Sequence, residues 1–299
     1  MVAYQVAQQA LPAYSHPFSP KTFSQHQLFA CLVLKTFLKT DYRGIIAILR
    51  DSPTLCQTIH LTQLPHYTTL QKAAQRLCYH ASAHRLLEQT VRTGLRGRKH
   101  LALAAIDSTG LEAGHTSSYY VKRRSRGDKS YHKTTYKRFP KLSVVCDCHT
   151  HLILSAITRR GPCPDVHELL QTLKPALSRL RINTLLADAG YNSEANHRIL
   201  RETLGIESII PAEHGRPTQK LPATKYRRQM KKHFDKKRYG QRWQVETVFS
   251  MIKRNLGDTV DARTYWAQCR EMMLLVLTHN IAVLLLVKEL FYRAGHSTF

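Results

Sequence analysis

Acidic residues are what this sequence is short of. Only 20 Asp and Glu stand against 45 Lys and Arg, which leaves a net charge of +25 on 299 residues. The excess is spread along the chain rather than gathered in a terminal tail. Such a balance points to a polyanionic partner, above all nucleic acid; the plain alternative is a protein that is simply basic and soluble. A disulfide framework is also missing. The seven cysteines, Cys31, Cys56, Cys78, Cys146, Cys148, Cys163 and Cys269, are odd in number and scattered. That pattern fits a reducing compartment, and a cytoplasmic location is the expectation. No long apolar run goes uninterrupted. Met272 to Val287 comes nearest, but Thr278, His279 and Asn280 break it. The pieces fall short of the roughly 20 residues a bilayer needs, so a buried helix and no membrane partner are expected. The first residues, MVAYQVAQQALPAYSHPFSPK, lack a basic region followed by an apolar stretch, so no signal peptide is expected. Repeats and low-complexity segments are absent too. What is present is a hydrophobic share of 43%, enough to bury a core and to exclude a disordered tail.

Two regions differ in pattern. From about Ser24 to Leu95, QHQLFACLVLKTFLKT, YRGIIAILRD and TTLQKAAQRLCYHASAHRLLEQTVRTGL place apolar residues three and four apart, which predicts helices. Pro53 and Pro65 fall between them as breakers. Thr68 or Thr69 is a candidate cap for a helix bearing Lys72 and Arg76, which could be the reading helix of a helix-turn-helix or a basic face of an ordinary bundle. LRGRKH, residues 95–100, reads as a linker. The expected division is a helical, DNA-binding domain over 1–97 and an α/β domain over 98–299. In the second region HLALAAIDSTG and INTLLADAGYNS read as buried strands, each ending in an acid, and KLSVVCDCHTHLILSAITRRG as a hairpin. PDVHELLQTLKPALSRL reads as a helix with Asp165 as cap and Glu168 three residues on. SEANHRILRETLG is a further helix and IESIIPA a further strand. Two long helices, about Asp235 to Leu256 and Arg263 to Arg293, close the chain. The order predicts a mixed α/β sheet covered by helices, with sites at the carboxyl ends of its strands.

Asp107 and Asp188 close the two predicted strands, and small residues follow each. Taken singly, either acid could do no more than form a turn. A third acid, Glu246, lies among bases in RYGQRWQVETVFSMIKRNLGD. At about 100° per residue, Tyr239, Arg242, Glu246 and Lys253 fall in one stripe roughly 60° wide. Val245, Val248, Phe249, Ile252 and Leu256 form a separate apolar face. An Arg242–Glu246 surface pair is a weaker account, because base-first order is the less favoured one. Three converging acids would repel unless a cation joined them, and hard oxygen donors select Mg²⁺ or Mn²⁺. Two such ions about 3.5–4 Å apart serve phosphoryl displacement.

The set Asp107 in AIDSTG, Asp188 in LADAGYNS and Glu246 in YGQRWQVETVFSMIK resembles the DDE transposases of bacterial insertion sequences. Tyr239, Arg242, Glu246 and Lys253 match that family's signature of Tyr, two residues, Arg, three residues, Glu, six residues, Lys. The resemblance spans about Leu101 to Leu285. It implies a ribonuclease-H-like core in which Asp107, Asp188 and Glu246 hold two Mg²⁺ or Mn²⁺ ions. It further implies cleavage at the terminal inverted repeats of a transposon, joining of the 3′-hydroxyls to target DNA, and a homodimer or higher assembly on double-stranded DNA. Tyr239, Arg242 and Lys253 inherit contacts to transposon-end DNA by position, with Trp243 as a candidate for stacking a flipped base. Only 58 residues (246 − 188) separate Asp188 from Glu246, too few for the β-rich insertion some relatives carry. The stretch from about Ala212 to Arg238 reads instead as a basic loop lying on DNA, with Arg227, Arg228, Lys231 and Lys232, and Arg254 extends the basic face.

Three weaker features remain. Cys146, Cys148, His149 and His151 crowd one turn, where strand alternation splits them between faces and argues against zinc. His167 reads as a first-turn helix residue. Arg123 to Arg138 mixes bases with Tyr131 and Tyr136 and could track a DNA backbone. Two rival functions stay open: a ribonuclease-H-like nuclease without strand transfer, and a domesticated regulator that only binds DNA.

Overall fold

The computed structural model describes residues 1–114, 138–212 and 220–296. Six helices come first: α1 (Val2–Ala10), α2 (Gln25–Phe37), α3 (Tyr42–Asp51), α4 (Pro53–Thr58), α5 (Tyr67–Leu77) and α6 (His80–Gly94). Local chemistry explains their starts. Ser24 and Gln27 form a reciprocal cap on α2, each side chain accepting the other's backbone N–H. The Asp41 carboxylate takes the amides of Arg43 and Gly44 at the start of α3. Pro53 stands at the first position of α4, where its missing N–H costs nothing. Two expectations fail here. The Thr68 hydroxyl faces His66 Nδ1 at 2.8 Å, and no side chain caps α5. The run from Thr68 to Leu95 is two helices, broken at Cys78 and Tyr79.

Beyond them lie β1 (His100–Gly110), β2 (Glu112–Ala113), β3 (Phe139–Asp147), β4 (Ile153–Gly161), α7 (Leu169–Leu177) and β5 (Arg181–Ala187). Then come α8 (Glu194–Arg198), which runs on as a π-helical turn to Thr203, β6 (Glu207–Ile209), α9 (Lys225–Lys232) and α10 (Lys236–Tyr239). The chain closes with α11 (Trp243–Leu256), β7 (Thr259–Val260) and α12 (Tyr265–His296). The main sheet has the order β4-β3-β1-β5-β6, antiparallel from β4 to β1 and parallel from β1 to β6. This is the mixed, helix-flanked sheet of the ribonuclease-H-like expectation. The hairpin over residues 141–161 forms as its two β-branched runs predict.

Alternation along the strands loads both faces. Leu142, Val144 and Cys146 of β3, with Ala105 and Leu186, pack toward Val245, Val248, Phe249 and Ile252 of α11 and toward α12. Ala104, Ile106, Val145, Leu185 and Ala187 face Leu169 and Leu173 of α7 and Tyr191. The first cluster continues without a break into the N-terminal helices, because α12 packs against α6, α2 and β4 together. Tyr265 to Leu286 is long and apolar enough to cross a membrane, yet 72% of that apolar window is buried inside the protein, as a core helix would be.

Three further differences bear on the site. Asp107 does not close its strand: β1 runs on to Gly110 against β3, and only its pairing with β5 stops at Ile106. Asp165 is not a cap. Residues 165–167 form a 3-10 turn, and Asp165 and Glu168 both turn inward to Lys141. The helix expected over 235–256 breaks at a 3-10 turn, Gly240–Arg242, before α11 begins.

Candidate active site

Ile106 pairs with Ala187 across the parallel strands β1 and β5. Asp107 and Asp188 are the next residues, so they stand side by side at a strand spacing of about 4.8 Å. Both occupy the face opposite Ile106 and Ala187, the face that α11 covers. Asp188 ends the strand and takes the Ala189 amide at 2.6 Å, which starts a 3-10 turn. Asp107 takes the Ser108 amide at 2.8 Å on one oxygen and Arg242 Nη1 at 3.0 Å on the other. Its side chain is 18% exposed. Burial pushes its carboxyl up to about 6. The Ser108 amide and Arg242 pull it down, while Asp188 and Asp165 add to the rise.

Glu246 reaches the same place from α11. Its Oε1 lies 2.5 Å from Arg242 Nη2, so the ion pair that sequence order disfavours does form. The guanidinium does more than close that pair. One nitrogen holds Glu246 and the other Asp107, 135 residues away in sequence. The turn Gly240–Arg242 makes this possible by packing against both β1 and β5. A 3-10 turn advances about 120° per residue instead of 100°, so the stripe from Tyr239 to Lys253 is not one helical wheel. Tyr239 still flanks the group, its ring centroid 5.9 Å from the Arg242 guanidinium and its ring tilted at 58° against Phe234. Lys253 is half-buried two turns along α11, and Arg254 is exposed, with its carbonyl bound by Lys39 Nζ at 2.7 Å.

Among the described residues, no three His, Cys, Asp or Glu side chains stand close enough to hold a metal ion as placed. The chemistry of the donors fits one all the same. Asp107 and Glu246 already share a cation, the Arg242 guanidinium, with Asp188 beside them. Asp107, Asp188 and Glu246 are the oxygen donors available to Mg²⁺ or Mn²⁺ there.

The remaining candidates are placed as follows. The basic stretch before the turn is a helix, α9, and not a loop: Tyr226 and Met230 are buried beneath it, and the Tyr226 hydroxyl donates to Glu202 at 2.9 Å. Arg228 and Lys232 are exposed, with Arg227 and Lys231 between surface and core. Arg228 is tied to the carbonyls of Pro222 and Ala223. Arg216 lies outside the described residues, as does nearly all of Arg123 to Arg138. Trp243 is 54% exposed at the start of α11. His167 is exposed; Cys146 and Cys148 are buried in the core, and His151 faces Gln244. Sequence reasoning missed Lys141 and misread Asp165. The signal available was a lone lysine opening the apolar run KLSVVCD.

The family described as "Transposase DDE domain" matches residues 99–281. No curated protein matches the chain. Among solved structures, the chain is similar to a piggyBac transposase synaptic complex with hairpin DNA. Identity there is 10% and the TM-score 0.46, covering 95% of this chain and 70% of that one. It is also similar to a Mos1 transposase paired-end complex with left transposon end, at 13% identity and a TM-score of 0.24, covering 66% and 61%. A pre-cleavage Mos1 transpososome gives 11% identity and a TM-score of 0.23, covering 91% and 80%.

Proposed function

This chain belongs to the transposase DDE domain family, and on that premise we propose that it cleaves DNA at transposon ends and joins the freed 3′-hydroxyls to target DNA. One observation carries the reading. Acids 58 or more residues apart in sequence come to one place, two of them adjacent on parallel strands and the third tied in through Arg242. A protein of charge +25 has little reason to gather carboxylates unless they serve a cation.

In cleavage a water oxygen attacks the phosphorus at the transposon end, the bond to the 3′ oxygen breaks, and a 3′-hydroxyl is left. In joining, that hydroxyl attacks a phosphodiester of the target, the target's own bond to its 3′ oxygen breaks, and that oxygen leaves as a hydroxyl with the proton given up by the attacker. Bound divalent ions supply the Lewis acidity for both displacements. Asp107 and Asp188 project from rigid strands, so their spacing is set by the sheet. Glu246 sits on a helix packed over that sheet and is mostly exposed, 57% by side chain, so it is free to close on the pair. Arg242, Tyr239 and Lys253 meet the end DNA, and Arg242 exchanges its carboxylate partners for phosphate as the strand arrives. Trp243 offers a ring to a displaced base. Exposed bases on α9 and Arg254 extend the track. Two copies of the chain bring two ends together.

The test uses duplexes from the DNA flanking the reading frame, with Mg²⁺ or Mn²⁺. Asp107→Asn, Asp188→Asn and Glu246→Gln are each expected to lose cleavage by about 10³-fold or more while still binding the ends. Normal cleavage by any one of them removes that acid from the site. Joined products separate a transposase from a nuclease, and metal-independent binding without turnover would mark a regulator.

A further inference from the structure

Lys141 lies on β3 opposite Gly110 of β1 and is only 4% exposed. All three of its ammonium protons have acceptors: Asp165 Oδ1 at 2.7 Å, Glu168 Oε2 at 3.0 Å and the Cys163 carbonyl at 2.6 Å. A buried lysine needs such partners, and Glu168, 2% exposed and also bound by Ser143, is one of them. Glu168 also lies 3.6 Å from Arg159 Nε, so Asp165 and Glu168 together balance Lys141 and Arg159. The Asp165 carboxylate points elsewhere as well. Oδ1 accepts the Ser108 hydroxyl at 2.7 Å, and Ser108 is the residue whose amide holds Asp107. Oδ2 lies over Gly190, 3.5 Å from where a Cβ would stand, in the turn that Asp188 starts. The Asn196 side-chain amide binds both turns, donating to the Val166 carbonyl at 3.0 Å and the Tyr191 carbonyl at 2.8 Å. Tyr191 is fully buried, and its hydroxyl has no hydrogen-bond partner among the described residues.

We propose that Asp165, anchored by Lys141, is a positioning residue that fixes Asp107 and Asp188 relative to each other, through Ser108 on one side and the Gly190 turn on the other. The inference rests on the reading of Asp107 and Asp188 as the strand-borne acids of the site. A purely stabilising ion cluster would close on Lys141, Arg159, Glu168 and Asp165 alone. This one extends a hydrogen bond to the residue after Asp107 and a packing contact to the residue two beyond Asp188. Backbone shifts of a few tenths of an ångström at these points move two donors that must share a site, and the partners behind metal-binding carboxylates are usually held this way.

The experiment compares Ser108→Ala, Asp165→Asn and Asp165→Ala with the full chain and with Asp107→Ala. Ser108→Ala is the clean variant, since it leaves the lysine cluster intact; Lys141 is not replaced, because the buried Glu168 and the half-buried Asp165 would lose their shared cation. Three quantities are read: Mn²⁺ affinity of the DNA-free protein by electron paramagnetic resonance, the kcat and KM of end cleavage, and the melting temperature. Ser108→Ala and Asp165→Ala are expected to weaken Mn²⁺ binding and lower kcat by about 10- to 100-fold, with KM for DNA unchanged within about twofold. Asp165→Asn, which keeps an acceptor for Ser108, is expected to recover part of both losses. Wild-type Mn²⁺ affinity and kcat in Ser108→Ala and Asp165→Ala, with Asp107→Ala inactive, overturns the positioning role and leaves the proposed function standing. Losses that follow melting temperature alone also overturn it. Unimpaired cleavage and metal binding in Asp107→Ala instead overturns the proposed function.

Discussion

A single guanidinium explains why Glu246 lies among bases. Arg242 spans Asp107 and Glu246, so in the DNA-free chain the cation these acids need is supplied from within. In sequence the three acids are singled out by a signature spacing and by two apparent strand ends, of which the fold keeps Asp188 and extends Asp107's strand to Gly110. The two-armed role of Arg242 was not legible there, because its more distant partner is 135 residues away and a helical wheel sees only its own helix. Buried histidines were equally silent. His279 sits in the core with Nε2 against the His151 carbonyl, and burial pushes it down to about 4. His197, beside Ser208, is pushed to about 4 by burial and by Arg201. A depressed folded pKa means that the unfolded chain binds more protons below about 6.5. These groups therefore contribute stability that is full above about 6.5 and lost as pH falls toward 4. Asp107, raised to about 6, acts in the opposite sense, its contribution present below about 3.8 and lost as pH rises through 6. Glu271, also raised by burial, acts with Asp107, while Glu202 and Glu207, lowered by hydrogen bonds from Tyr226 and Arg238, act with the histidines; urea unfolding is expected to show a net loss of stability from pH 7 to 4.5. His279→Gln keeps a donor for the His151 carbonyl and removes the titration. It is expected to flatten the slope by up to roughly 3 kcal/mol across that window; an unchanged slope assigns the acid sensitivity elsewhere.

At the scale of elements, periodicity was sufficient where one face decided everything. The strands and the N-terminal helices follow their apolar spacing, and the hairpin follows its turn. It failed where a tertiary contact outbid local preference. Asp165 and Glu168 look like a helix start, but a buried lysine on another strand claims both. The wheel through Tyr239 breaks at a 3-10 turn packed against two neighbouring strands. The polar interruption of α12 is the instructive case, since it reads only as a reason against a membrane. In the fold, Asn280 Oδ1 accepts the Ile153 amide at 2.9 Å, while its Nδ2 donates to the Ile153 carbonyl and to Thr90 Oγ1, both at 2.9 Å. The helix thereby pins the first residue of β4 and joins α6 to the sheet. Asn280→Leu leaves a buried amide and carbonyl without partners, each costing about 1–3 kcal/mol. A loss of roughly 2–5 kcal/mol is expected in urea unfolding, with hydrogen exchange at Ile153 accelerated. A loss under about 1 kcal/mol would show that water or a backbone shift replaces the asparagine.

For the whole molecule the governing quantity is charge. The +25 excess draws any nucleic acid, so affinity alone says little about the site; its dependence on salt and on individual acids says more. On the proposed function Lys253 and Glu246 face the same strand with opposite signs, and this makes a matched pair of measurements. With metal chelated, Lys253→Ala is expected to weaken end binding and to lower the slope of log K against log salt by about one phosphate contact. Glu246→Gln is expected to strengthen binding under the same conditions, because a carboxylate beside phosphate repels it and no ion screens the two. Adding Mg²⁺ or Mn²⁺ reverses that ordering. The intact acid then gains affinity through the ion it holds, and the glutamine variant gains little. A protein that merely coats DNA through its net charge behaves differently: each substitution shifts affinity by its unit of charge, whether or not metal is present. The sign change with metal, measured by fluorescence anisotropy on one duplex at several salt concentrations, is thus the property that separates a catalytic acid from a stray one.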